Sequence, residues 1–395
     1  MAAPLEGIRV LELGRVLAAP FCGQMLGDLG ADVIKIEMAG VGDESRAYGP
    51  PFVDGQSFYF LSLNRNKESV TLNLKDERGK DILRKLIARA DVFVHNSVPG
   101  PMERLGFSYD AVRKINPRII YCGISGYGQS GPDRDKPSLD MMAQALSGIM
   151  FLTGEPDGAP MRSGAAISDI SAGMFAAYAI VAALYHRDRT GEGQMVDTSL
   201  LESSVSLLTY QASRYFVTGE NPTRLGNAHP SIVPYDCYRT ADGWVTVAIM
   251  NQPMWERFCK ALDLEDLTCD PRFHTNPERV QNRDALREIL YERMGSLPTA
   301  DVIARFNSAN VPCAEVRDLH AVFADPQAQH VGLRQTISHA ATGDIDVVAP
   351  AFHLSASPTT LRKPPPRLGE HNEKILGELG LRSQEIEALR SDGVI

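Results

Sequence analysis

The chain predicts an α/β protein, with a large doubly wound parallel-sheet domain and a smaller α+β domain. Three observations carry this. Short apolar runs of strand character alternate with amphipathic helices through the first half of the 395 residues, the pattern of a parallel sheet with helical crossovers. Residues 218–234 then lose periodicity and turn rich in Gly, Asn, Pro and Thr, a linker composition. Beyond them Thr240-Ala241-Asp242-Gly243 separates two apolar runs, a hairpin signal that opens a region of different character.

In order, residues 8–13 read as a buried strand, 19–29 as a helix and 31–37 as a second strand. That βαβ unit implies parallel pairing. A dinucleotide fold is the first suspicion, but the turn Gly14-Arg15-Val16-Leu17-Ala18-Ala19-Pro20 has one glycine and a proline where G-x-G-x-x-G is required. It leaves too little room for a pyrophosphate, which argues against a nicotinamide dehydrogenase. Strands follow at 69–74, 91–95 and 118–124, with helices at 76–89, 102–105 and 109–115. Residues 194–199 read as a strand and 200–217 as one amphipathic helix. The domains are therefore expected as 1–217, the first part of the large domain; 218–234, a linker; 235–322, the small domain; and 323–395, a second linker and a return to the large domain. In the small domain, helices are expected at 252–262, 280–295 and 299–309. In the return, one is expected at 373–379 after the extended Lys363-Pro364-Pro365-Pro366.

A net charge of −9 argues against a nucleic-acid surface or a polybasic membrane patch. The cysteines, Cys22, Cys122, Cys237, Cys259, Cys269 and Cys313, include no C-x-x-C pair. This fits free thiols in a reducing compartment and no zinc site. No run of about 18 consecutive apolar residues stands out, and the N-terminus lacks a signal-peptide pattern, so the expectation is a cytoplasmic protein without a membrane span.

The chemistry is expected around residues 161–193. Asp169 is the only acid between Asp157 and Asp188 and heads a long Ala- and Gly-rich helix. Ser168 or Asp169 is the expected N-cap, and His186, Arg187 and Arg189 suit the C-terminal end of the helix dipole. Two readings are open on the residues alone. Asp169 is a cap, or it is a nucleophile flanked by backbone N–H groups able to hold an oxyanion.

Several segments together resemble one family. They include LEGIRVLELGRVLAAPFCGQMLGDLGADVIKIE, GVGDESR at 40–46, LNRNKESVTLNLK, VHNSVPGPMERLG, SGYGQSGP, SGAAISDISAGM, HRDRTGEGQMVD and LGEH. In this order they resemble the class III CoA-transferases, and the likeness spans essentially the whole chain. The resemblance makes Asp169 the nucleophile. It attacks a donor acyl-CoA to give an aspartyl–acyl anhydride. The released CoA thiolate forms an aspartyl-CoA thioester, and an acceptor carboxylate regains CoA through a second anhydride. On this reading the Asp169 carboxylate is ionised at neutral pH. The resemblance implies CoA contacts from Val16, Leu17 and Ala18 at the thiol end, and from Leu72, Asn73, Lys75, Asn96 and Arg104 around the nucleotide. It implies Tyr59, Asp140 and His229 near the acyl group, no permanent cofactor and no metal. CoA and acyl-CoA are substrates, together with a small carboxylic acid. It also implies an interlocked homodimer of ring-like chains, joined through linkers 218–234 and 321–335.

Departures bear on the substrate. Formyl-CoA transferases carry Gln at the position of Leu17, Tyr-Glu at Leu139-Asp140 and Arg at Met38, so oxalate is not expected and a dicarboxylate donor such as succinyl-CoA is preferred. The α-methylacyl-CoA racemases share the fold but place a proton-carrying His where this chain has Leu139, which disfavours two-base epimerisation. An inactive acyl-CoA-binding paralogue is the third reading.

Overall fold

In the computed structural model, which describes residues 2–395, the chain divides into two compact units. The larger comprises the stretch up to Ile149, Arg162–Val217 and Gln329–Ile395; the smaller comprises Met150–Met161 and Thr218–Ala328.

The larger unit is built on six parallel strands: β1 (Arg9–Leu13), β2 (Asp32–Glu37), β3 (Lys67–Thr71), β4 (Val92–His95), β5 (Ile120–Ser125) and β6 (Met195–Ser199). Their spatial order is β3-β2-β1-β4-β5-β6. The order reverses between β1 and β4, so the loops leaving those strands diverge and open a crevice at the carboxyl edge. Alternate side chains feed two cores. Val10, Val33, Val92, Val94 and Ile120 face helices Ala18–Asp28 and Ile167–Thr190, while Leu11, Ile34, Phe93 and Tyr121 face helices Glu77–Ile87 and Tyr109–Ile115. Burial on both faces is why these strands read as continuous apolar runs.

The edge strand β3 is covered by the chain's return. Ser69 N–H donates to His371 Nδ1 at 3.2 Å, Thr71 N–H to Asn372 Oδ1 at 2.9 Å, and Gly369 N–H to Ser69 Oγ at 2.9 Å. The LGEH turn thus satisfies backbone groups that an open edge would expose.

The helix carrying Asp169 runs from Ile167 to Thr190, 24 residues. By length and composition it would suffice for a membrane span, but half of its apolar stretch is buried in the protein.

Several elements differ from the sequence expectation. The helix expected over 200–217 breaks into Leu200–Ser206 and Tyr210–Thr218, where Thr209 takes φ 40, a conformation no helix continues through. The helix expected at 280–295 is two, Asn276–Gln281 and Arg283–Gly295. The segment read as a linker at 321–335 holds the end of helix Leu319–Ala324, helix Pro326–His330 and the start of strand Arg334–His339. That strand pairs antiparallel with Gly343–Val348. The hairpin was not anticipated because its buried side is only Ile337, Ile345 and Val347, packed with Leu61 and Leu361, too few apolar positions for a strand signal. Helix Ser383–Ser391 was also missed.

The smaller unit holds a three-stranded antiparallel sheet of Tyr235–Arg239, Trp244–Ala248 and Cys313–Glu315. Helices Gln252–Ala261, Arg283–Gly295 and Thr299–Ser308 enclose a core in which Trp255, Phe258 and Phe306 stack in series. Residues 150–161, assigned to the large domain from sequence, belong to this unit. Arg224 holds them by donating to the carbonyls of Phe151 and Gly158 at 3.1 and 2.9 Å.

Candidate active site

Asp169 is the third residue of its helix. The N-cap is Ala166, which offers no side-chain bond, so the cap expected at Ser168 or Asp169 lies further upstream. Capping comes instead from another helix. Asp140, first residue of Asp140–Leu146, accepts the N–H of Ser168 at 2.9 Å and of Asp169 at 3.3 Å through one carboxylate oxygen. Its other oxygen accepts from Gln144 Nε2 at 2.7 Å, and Gln144 Oε1 accepts from Ser163 N–H at 2.8 Å. The N–H groups expected to stand ready for an oxyanion beside Asp169 are therefore already bonded. A carboxylate at a helix N-terminus is favoured by both the bonds and the dipole.

This arrangement changes the charge on Asp169. Burial first, and the adjacent Asp140 charge second, push its carboxyl up to about 7. The expectation of a fully ionised group at neutral pH is corrected: near pH 7 the free site is divided between both forms. A more basic carboxylate is also a stronger nucleophile toward a thioester.

The loop after β1 lies against the same helix. A Cβ on Gly173 would fall 2.6 Å from the Ala18 carbonyl, so the two backbones touch one turn beyond Asp169. Helix Ala18–Asp28 begins here with no side-chain cap and no acid in its first turn. Val16 is held at φ 65, a conformation that costs a β-branched residue energy. What holds it is a buried ionic lattice. Val16 N–H points to the Asp43 carboxylate at 3.1 and 3.2 Å. Lys35 Nζ bridges Asp43 at 2.9 Å and Glu12 at 2.8 Å, and donates to the Gly14 carbonyl at 2.9 Å. Lys67 Nζ bridges Glu12 at 2.7 Å and donates to the Pro20 carbonyl at 2.7 Å. Two lysines and two carboxylates, all buried, balance in charge, so none is a lone buried charge. Against the cost of burial, Lys35 and then the Ser45 N–H and hydroxyl hold Asp43 down to about 2.

The structure sorts the remaining sequence-derived residues. Tyr59 joins the site: burial, then the negative charges of Asp169, Tyr48, Asp140 and Asp43, push its phenol up to about 12. Tyr48 meets Tyr59 edge-on at 5.4 Å. Asn96 is fastened to the loop after β1, where its Oδ1 accepts Arg15 N–H at 2.9 Å and its Nδ2 donates to Arg15 O at 2.8 Å. Leu72 has its side chain in the core. Asn73 is tied by its N–H to Val394 O at 2.7 Å and by Oδ1 to Lys75 N–H at 3.1 Å. Lys75 and Arg104 are exposed cations, Lys75 shortly after β3 and Arg104 in the short helix Pro101–Leu105 that follows β4. His229 belongs to the smaller unit, where its Nδ1 accepts Ser231 N–H at 3.1 Å. Burial and the neighbouring Arg283 lower its ring pKa, which fits a neutral turn histidine. Asp140, expected as a substrate contact, caps the Asp169 helix and places a negative charge beside Asp169.

Sequence reasoning missed Tyr48, Asp43, Gln144 and the Glu12–Lys35–Lys67 chain. The signal for the last was present: a lysine inside Val33-Ile34-Lys35-Ile36 is out of place in a strand buried on both faces unless it is paired.

Residues 5–372 match the model of CoA-transferase family III. The chain belongs to this family. It is a class III CoA-transferase. The chain is 45% identical over 394 residues to succinyl-CoA:glutarate CoA-transferase of Mus musculus, covering 99% of this chain and 90% of that one. It is 40% identical over 382 residues to succinate–glutarate CoA-transferase of Agrobacterium fabrum, covering 95% and 96%. The crystal structure of a CAIB/BAIF family protein from Brucella suis shares its fold with a TM-score of 0.87 at 39% identity, over 96% of this chain and 100% of that one.

Proposed function

We propose that this CoA-transferase moves CoA from a dicarboxylyl-CoA such as succinyl-CoA to a small dicarboxylic acid such as glutarate, through covalent intermediates on Asp169. The observation that carries the reading is the raised Asp169 carboxyl at the head of a close-packed helix, touching the Ala18 loop. The names of the relatives support the choice of acids.

The carboxylate of Asp169 adds to the thioester carbonyl and CoA leaves as thiolate, giving the aspartyl–acyl anhydride. The thiolate attacks the aspartyl carbonyl, releasing the donor acid and leaving aspartyl-CoA. The acceptor carboxylate then displaces CoA thiolate to form a second anhydride. CoA attacks the acceptor carbonyl and Asp169 is regenerated. Anhydrides demand a water-poor site, and the Ala- and Gly-rich packing around the helix suits that. Val16, Leu17 and Ala18 would meet the thiol end of CoA, the last two through the uncapped helix start. Lys75 and Arg104 would meet its phosphates, and Leu72, Asn73 and Asn96 would contribute backbone only. Tyr59 and Tyr48 would wall the acyl group.

A second copy of the chain fits this reading. Met174, Tyr178, Val181 and Tyr185 form an exposed apolar stripe on the Asp169 helix, more than a free surface usually carries in one place, and an interlocked homodimer would cover it.

The test is intact-protein mass spectrometry after brief incubation with succinyl-CoA and other acyl-CoAs, quenched in acid. A CoA-sized adduct on the peptide holding Asp169 supports the reading. Full turnover by Asp169→Ala would sink it, and deuterium entering Cα of a 2-methylacyl-CoA without any adduct would favour epimerisation.

A further inference from the structure

The smaller unit contains a cavity of about 540 Å³ that the proposed transfer does not use. It is lined on one side by Ile249, Met250 and Gln252, and on another by His274, Asn276 and Arg279. Arg279 is buried, only 1% exposed. Its Nε donates to Val233 O at 2.7 Å, and its Nη1 to Phe273 O at 3.0 Å and Gln252 Oε1 at 3.2 Å. Among the described residues its Nη2 has no acceptor, and no carboxylate pairs with its charge. The Glu278 charge acts on it only at a distance, and a buried cation bonded to neutral oxygens bears a desolvation cost that an anion would offset.

Gln252 spends its oxygen on Arg279, which leaves its NH₂ free for a ligand oxygen. The guanidinium lies over the Trp255 ring, 4.7 Å from its centroid, and the buried Trp255 Nε1 also lacks an acceptor. Ile249 and Met250 offer an apolar surface beside Arg279 and Gln252. Glu256, exposed on the rim, repels a multiply charged anion.

We propose that this cavity binds a small aliphatic monocarboxylate, its carboxylate against Arg279 Nη2 and Gln252 Nε2 and its stem over Ile249 and Met250.

The chain has two tryptophans, Trp244 and Trp255. In a Trp244→Phe, Asp169→Ala full-length background without CoA, Trp255 is the sole reporter and no acyl transfer takes place. The outcome is therefore independent of the covalent mechanism. Titration with sodium butyrate at constant ionic strength is expected to give a saturable change in emission. Gln252→Glu places a carboxylate beside Arg279 without removing a structural bond. It is expected to weaken binding at least about tenfold, the loss of one charge-assisted contact. Met250→Asp, on an exposed residue, is the second variant and is expected to weaken binding several-fold should Gln252→Glu fail to fold. Butyrate should outbind inorganic phosphate. No saturable response, an equal response in the variants, or binding of phosphate in preference to butyrate would each overturn the proposal.

Discussion

Asp140 accepts the backbone N–H of Asp169 at 3.3 Å and, by the same negative charge, helps raise the Asp169 carboxyl to about 7. One side chain thus holds the backbone of the proposed nucleophile and adds to the basicity that burial gives it. The two effects separate by mutation. Asp140→Asn keeps a capping oxygen but removes the charge, so the Asp169 pKa should fall. The acid limb of the pH–rate profile should move down by about one pH unit. Asp140→Ala also loses the cap and should cost roughly 1 kcal/mol of stability. An unmoved limb in Asp140→Asn would leave burial as the sole cause.

The raised carboxyl also governs stability. The folded-state pKa, about 7, lies above the ordinary value of 3.8 that the unfolded chain adopts. The unfolded state therefore releases its proton first as pH rises. The contribution of Asp169 to stability is full below about pH 4 and is lost as pH climbs to about 7. Asp169→Asn should be more stable than the wild type at pH 8 by roughly 2 kcal/mol, a figure discounted for the solvent contact Asp169 retains. The gap should close toward pH 4. Urea midpoints at both pH values measure it.

Gly173 is where the Asp169 helix meets the Ala18 loop. Its absent Cβ leaves room for the Ala18 carbonyl, which a methyl would approach to 2.6 Å. Gly173→Ala should destabilise by roughly 1–3 kcal/mol and reduce turnover, because the loop and the helix must part. Gly164→Ala is the control, since nothing lies within 4 Å of that position, and it should leave both unchanged.

The buried lattice under the loop makes a further prediction. Glu12→Gln leaves the buried Lys67 without a paired carboxylate and Lys35 with Asp43 alone, and should cost roughly 3 kcal/mol. Asp43→Asn retains an acceptor for Val16 but weakens the hold on its strained backbone. It should raise the KM for acyl-CoA by about tenfold, a loss near the 1.4 kcal/mol of one contact, with a smaller change in kcat. Equal effects on both constants would mean that the lattice serves stability alone.

Much of the larger unit is legible in the amino-acid sequence. Buried strands announce themselves as runs such as Val92-Phe93-Val94, because both faces of a parallel sheet are apolar. Asp169 stands out as a lone acid before a long run of small and apolar residues. The break at Thr209 is not legible, since nothing in the local sequence forbids a helix there. The hairpin of Arg334–His339 and Gly343–Val348 escapes notice for want of buried side chains.

The strands, the family and the candidate reactive acid can all be read along the chain, because periodicity and residue type are local properties. How that acid behaves is set by folding. Asp140 lies 29 residues upstream of it, and Asp43, Lys35 and Glu12 come from separate strands and loops. A carboxylate's basicity and a loop's strain depend on charges and backbone atoms a few ångströms away in space, and only the folded chain sets those distances.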